Sequence, residues 1–229
     1  MITVRFCRNP DAINETAKAL APRICSRVGT ELGRLLPNLP DEITLCCSLG
    51  GNVIPRMGYG ASALDKRTVG FVIEPAPPDV IEKVLDVHLR HALYHECHHL
   101  VRGWVKHGGR PPHHFIDGVV CEGLASAFER DAAGYDAPWC QYPDNASAWV
   151  DELLALSARA DYRHWMFQHP DGRQWIGYKA GVYIADRAIE RSGFDAAQLA
   201  SVPAERIIEL AGIRYPSKRR TAARMRRLG

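Results

Sequence analysis

His95 and His99 stand four residues apart in the run Leu93-Tyr94-His95-Glu96-Cys97-His98-His99-Leu100, with Glu96 directly after the first histidine. On a helix, residues four apart share one face, so both imidazoles can grip a single metal ion while the glutamate reaches a water beside it without being a ligand. Such a set suits hydrolysis, because a metal ion activates water near neutral pH and the carboxylate can take its proton. Eight of the ten histidines lie between His88 and His114, a clustering that composition alone does not explain. His98 points about a hundred degrees away from His99 on a helix and reads as a bystander.

These residues need a helix to hold them. Ile81, Val84, Leu85, Leu89, Leu93, Cys97, Leu100 and Trp104 recur at three- and four-residue steps, which predicts a helix over Val80 to Trp104 with one apolar stripe. Pro75, Pro77 and Pro78 precede it, and Asp79 is placed to cap its first turn. The opposite face carries His88, His91, His95 and His99 as a polar stripe.

Before this helix the chain reads as strands around one early helix. Ile2 to Phe6, Glu42 to Ser48, Val53 to Tyr59 and Thr68 to Ile73 are strand candidates, with Pro55 suiting an edge. Asn9-Pro10-Asp11 opens a helix whose apolar residues run from Ile13 to Leu35, and Pro22 should kink or split it. After it come Gly108 to Pro112 as a loop and helices over His113 to Arg130, Ser147 to Ala160, Tyr162 to Phe167, Trp175 to Arg191 and Pro203 to Ala211. The order predicts an α+β fold: a small mixed sheet within residues 1–78, a helical part over 79–213 and a basic tail over 214–229, all in one domain.

The net charge of +3 is too small to argue for a nucleic-acid partner, and much of the excess sits in the tail around Lys218, Arg219 and Arg220. No window approaches the roughly 20 apolar residues of a membrane span. Seven cysteines without a disulfide-framework spacing read as reduced, mostly buried thiols, and a cytoplasmic protein is the expectation. Oligomeric state is left open.

A catalytic metal of this kind takes three protein ligands. One scheme continues the helix into a glycine and a third histidine, but Arg102 and Val105 occupy those places, with Gly103 and His107 slightly late. The other takes a glutamate from a second helix, and Glu122 in Cys121-Glu122-Gly123-Leu124-Ala125-Ser126 supplies it among apolar neighbours. A buried carboxylate needs a partner, and a metal ion or a salt bridge to Arg102 or Arg130 would serve. Glu129 reads as exposed.

His95 to His99, then Glu122-Gly123-Leu124-Ala125, then Gly177-Tyr178-Lys179-Ala180-Gly181, in that order, resemble a bacterial family of predicted zinc-dependent proteases of gluzincin type. The resemblance implies His95, His99 and Glu122 as zinc ligands, Glu96 as general base, a zincin-like packing of sheet on active-site helix, and a peptide substrate lying along an edge strand, with Thr68 to Ile73 as that strand or its neighbour. It also places Tyr178 near the zinc as a candidate donor to the oxyanion, with Tyr183, His169 and His164 as alternatives. One departure stands out. The aspartate that orients the first histidine in thermolysin-like gluzincins is Ser126 here, which leaves Asp117 or a backbone carbonyl for that task.

Three functions compete. The first is a metallopeptidase acting on a peptide or protein, with hydrolysis of a small ester or amide within its reach. The second is a non-catalytic zinc protein that binds a partner, with His91 or Cys121 closing the fourth position; His107, His113 and His114 are competing ligands. The third has no metal and uses the histidines as a pH-responsive or merely polar face. Two imidazoles favour zinc over magnesium or calcium, with cobalt or manganese able to substitute.

Overall fold

The computed structural model describes residues 1–107, 115–157 and 160–214. Its fold is α+β, and the expectations for Gly108 to His114 and for most of the basic tail fall outside the described residues. Strands β1 (Ile2–Phe6), β2 (Ile43–Leu49), β3 (Tyr59–Asp65) and β4 (Thr68–Ile73) form a mixed sheet in the order β1-β2-β4-β3. The first two pairings in that row are parallel, and β3 lies antiparallel to β4 at the edge.

Alternation along β2 and β4 puts Leu45, Cys47 and Leu49 opposite Val69, Phe71 and Ile73, and all six are buried. Cys46 belongs to the other, less buried row. There it meets Cys7, which follows β1, in a disulfide with Cα atoms 5.9 Å apart. The reading of seven reduced thiols is therefore corrected: two are paired across neighbouring parallel strands, and Cys25, Cys47, Cys97, Cys121 and Cys140 are free and buried. Among the described residues no helix is long and apolar enough to cross a membrane.

Two early expectations shift. Helix α1 (Glu15–Leu35) begins after Asn14, whose side chain accepts a hydrogen bond from the Ala17 N–H, and not at Asn9-Pro10, which forms a short 3-10 turn. The helix runs through Pro22, which is exposed, without being split there. The third strand starts at Tyr59 where Val53 to Tyr59 was expected, because Pro55 has no N–H and Arg56 and Gly58 take positive φ, turning the chain before it can extend.

Helix α2 (Pro78–Arg102) carries the histidines and is entered through Pro77, with Asp79 inside the first turn instead of capping it. Gly103, at φ 71°, ends it in a left-handed turn. From His91 to Leu100 every residue is buried, so the helix has no solvent face along this stretch. The sheet and α1 cover one side. Helix α3 (Phe115–Ala133) covers the polar side and is itself buried from Gly118 to Glu129.

Helices α4 (Ala146–Leu154), α5 (Tyr162–Met166), α6 (Ile176–Ser192) and α7 (Ala204–Leu210) complete the described chain. At the α3–α6 crossing, a Cβ on Gly123 would lie 2.0 Å from the Gly181 carbonyl carbon, and one on Gly181 would lie 2.2 Å from the Val119 oxygen. Two sequence blocks far apart in the chain thus meet backbone to backbone. Gly123→Ala or Gly181→Ala must push the helices apart, at a cost of about 3 kcal/mol or more. Thermal unfolding should drop by roughly 6–12 °C, and a melting temperature within about 2 °C of the parent protein would contradict the crossing.

Candidate metal centre

Helices α2 and α3 run antiparallel, so His91, His95 and His99, along two turns of one, face Glu122 and Glu129, two turns apart on the other. The result is an alternating string: His99, Glu122, His95, Glu129, His91. At one end, Nε2 of His95, Nε2 of His99 and Oε2 of Glu122 lie 3.1 to 3.2 Å from one another, all on buried residues. Two ring nitrogens and an acid oxygen this close are donors converging on a point. Ligands on a tetrahedral zinc with bonds of about 2.0–2.1 Å stand roughly 3.3 Å apart, so the donor set fits a metal ion in both chemistry and spacing.

The alternatives for these residues are occupied elsewhere. Arg102 donates to Cys121 Sγ and to the Leu199 and Ala200 carbonyls, and Arg130 pairs with Asp131 and Asp186, so neither arginine partners Glu122. Glu122 is instead held at its other oxygen by Trp104 Nε1 at 3.2 Å. His91 turns one nitrogen to Glu129 and the other to His88, and Cys121 turns to Arg102, so neither closes a fourth position. His107 is exposed, and His113 and His114 lie outside the described residues. His98 is buried and turned away, with Nε2 on the Ala196 carbonyl.

Glu129 corrects the sequence reading most sharply. It is 1 % exposed, and its oxygens stand 3.1 Å from Nδ1 of His95 and 3.1 Å from Nδ1 of His91. The backing of the first histidine, expected from Asp117 or a backbone carbonyl, comes from a carboxylate seven residues after Glu122; the Ser126 hydroxyl is buried without a partner among the described residues. The spacing was a usable signal. Glu122 and Glu129 lie two turns apart on one face, matching His99, His95 and His91 opposite.

The charges reflect this packing. Burial opposes a charged His95, yet Glu122 and Glu129 hold its pKa well above the usual value in the absence of a metal. Burial also opposes the Glu122 and Glu129 carboxylates, but the facing histidines keep both below the normal range. His88, further out, is pushed down to about 4 by burial and by His91.

Glu96 lies between the helix and the sheet, 6 % exposed, with Oε2 accepting a hydrogen bond from the Ala63 N–H of β3 at 2.6 Å. Burial raises its pKa, against the lowering influence of His95, His99 and the Ala63 N–H. The edge strand beside the site is therefore β3, and β4 is its neighbour. Its outer rim is already used in part, since Lys106 N–H bonds the Ala63 carbonyl and His107 N–H that of Leu64.

Tyr178 comes in on α6. Burial first, then the Glu122 charge, lift its phenol well above the usual range, which places the hydroxyl within electrostatic reach of that carboxylate, although part of the residue stays accessible. Trp139, Trp175 and Phe167 stand 5.7 to 6.1 Å from the ring centroid and fix it. The other candidate donors engage elsewhere: Tyr183 against Tyr142, His169 with Asp171, His164 near Asp161.

No match is found among the curated proteins or the solved structures. Residues 79–209, more than half of the chain and the whole of the helical layer that builds this centre, match one family, and the chain belongs to it: the family described as "Predicted Zn-dependent protease (DUF2268)".

Proposed function

We propose that the protein is a zinc metallopeptidase of gluzincin type in which His95, His99 and Glu122 hold the ion, Glu96 is the general base and Tyr178 stabilises the oxyanion. The observation that carries the reading is the triangle of three buried donor atoms 3.1 to 3.2 Å apart with the Glu96 carboxylate in the same buried space. Zinc bound there would supply a water of pKa near 7 and polarise an acyl carbonyl.

The chain's own groups do the rest. Glu96 takes a proton from the attacking water at its carboxylate and delivers it to the leaving amine nitrogen. Its raised pKa suits both transfers. The Ala63 N–H holds that carboxylate toward the sheet edge, where an extended peptide would lie. Tyr178, a strong donor kept protonated by its surroundings, presents its hydroxyl beside Glu122, where charge develops on the substrate oxygen. The reading as a non-catalytic zinc protein loses its two named fourth ligands, since His91 and Cys121 are bonded elsewhere.

Metal analysis of protein purified without added metal should find about one zinc per chain in the parent and in Glu96→Gln, and none in His95→Ala or Glu122→Gln. Zinc kept by Glu122→Gln would move the third ligand elsewhere. No zinc in the parent would remove the catalyst altogether.

In peptide cleavage, Glu96→Gln should lose a factor of about 10²–10⁴ with the ion still bound. Tyr178→Phe should lower kcat by about 10²–10³ with KM little changed. Cleavage at parental rates by zinc-loaded Glu96→Gln would exclude the general-base assignment.

A further inference from the structure

His91 touches neither the metal donors nor the space where a substrate would react, yet it is buried and held on every side. Its ring lies flat on Tyr135 at 3.6 Å and 7°. Nδ1 reaches Glu129 Oε1 at 3.1 Å, and Nε2 faces His88 Nδ1 at 3.2 Å. His88 is stacked in turn on Tyr59, with centroids 4.6 Å apart. Nothing in the proposed reaction uses this arm.

We propose that His91 is a positioning residue for the metal centre, acting on His95 through the shared carboxylate of Glu129. The inference rests on the metallopeptidase reading, since it assigns His91 a purpose only if His95 binds an ion.

A proton inventory carries the argument. An ionised carboxylate only accepts, so Nδ1 carries the proton in both His95 and His91. With an ion bound, the Nε2 lone pair of His95 would be free for it, beside His99 and Glu122. The His91 Nε2 is left as an acceptor, and His88 supplies the proton from Nδ1. One set of tautomers satisfies every contact from His95 Nδ1 through Glu129 and His91 to His88. Removing the donor at His91 leaves Glu129 Oε1 as a buried oxygen lacking that partner. A carboxylate held by one oxygen can rotate about its last bond; held by both, it cannot. His91 therefore fixes the plane of Glu129, and Glu129 fixes the ring and tautomer of His95. Ser126, four residues after Glu122, offers His95 no such support, since its hydroxyl has no partner among the described residues.

The test compares three variants of the full chain. His91→Phe keeps a flat ring on Tyr135 and removes both nitrogens. In His91→Asn the amide nitrogen falls near the place of Nδ1 and can still donate to Glu129, whereas His91→Gln puts it near Nε2. Zinc affinity is read at one fixed pH by chelator competition, ligand geometry by the visible absorption of the cobalt(II) form, and folding by the melting temperature of the metal-free protein. His91→Phe and His91→Gln should bind zinc about 10–100-fold more weakly, with shifted cobalt bands, while His91→Asn stays within about threefold of the parent. Should His91→Phe not fold, the contrast between Asn and Gln decides alone.

Parental zinc affinity and cobalt spectrum in the Phe or Gln variant would overturn the inference and leave the metallopeptidase reading standing. So would equal losses in Asn and Gln, which would assign His91 to packing. A parent protein that binds neither zinc nor cobalt would overturn both.

Discussion

Two carboxylates buried between antiparallel helices impose the constraint on which this structure depends. Glu122 is 8 % and Glu129 1 % exposed, and an uncompensated charge at either depth would cost several kcal/mol. The facing helix answers with a histidine at every turn, so each carboxylate lies between two imidazoles. Only one of the pairs leaves donors pointing at a common centre. Around Glu129 the facing atoms are Nδ1 of His95 and His91; around Glu122 they are Nε2 of His95 and His99, which also lie 3.1 Å from each other. The same residue types, separated by two helical turns, thereby make a carboxylate clamped by two imidazoles at one end and a donor set that could hold a cation at the other.

Close backbone contact then brings the remaining groups to that site. The meeting of Gly123 with Gly181 lets α6 approach α3 nearer than any side chain would allow, and it carries Tyr178 to the Glu122 carboxylate. Packing of α2 on β3 does the same for Glu96, which reaches the Ala63 N–H from the turn between His95 and His99. Glu96, the His95–His99–Glu122 donor set and Tyr178 thus come from three helices whose relative positions are set by glycine contacts and a strand edge. The chemistry resides in few residues, but their spacing is held by many.

The disulfide lies apart from this machinery. Cys7 and Cys46 join the two outermost parallel strands on the side of the sheet away from the β3 edge. It constrains the sheet on which α2 rests, without touching the buried donors.

Periodicity and residue type alone determined a good deal. The three-and-four-residue rhythm of α2 set a helix with its histidines on one face, because an amphipathic helix advances by a fixed angle per residue. Alternation marked β1, β2 and β4, and the apolar surroundings of Glu122 marked it as a buried acid seeking a cation. Tertiary structure alone decided what that rhythm cannot encode. Whether Glu129 faces water or His95 depends on which helix covers it, and the sequence rhythm of α3 is apolar all round. Whether Cys46 finds Cys7 depends on strand order. That β3 begins only at Tyr59, and so offers Ala63 to Glu96, follows from where the chain turns after Pro55. Local geometry is written in neighbouring residues, whereas partners distant in the chain are chosen by packing.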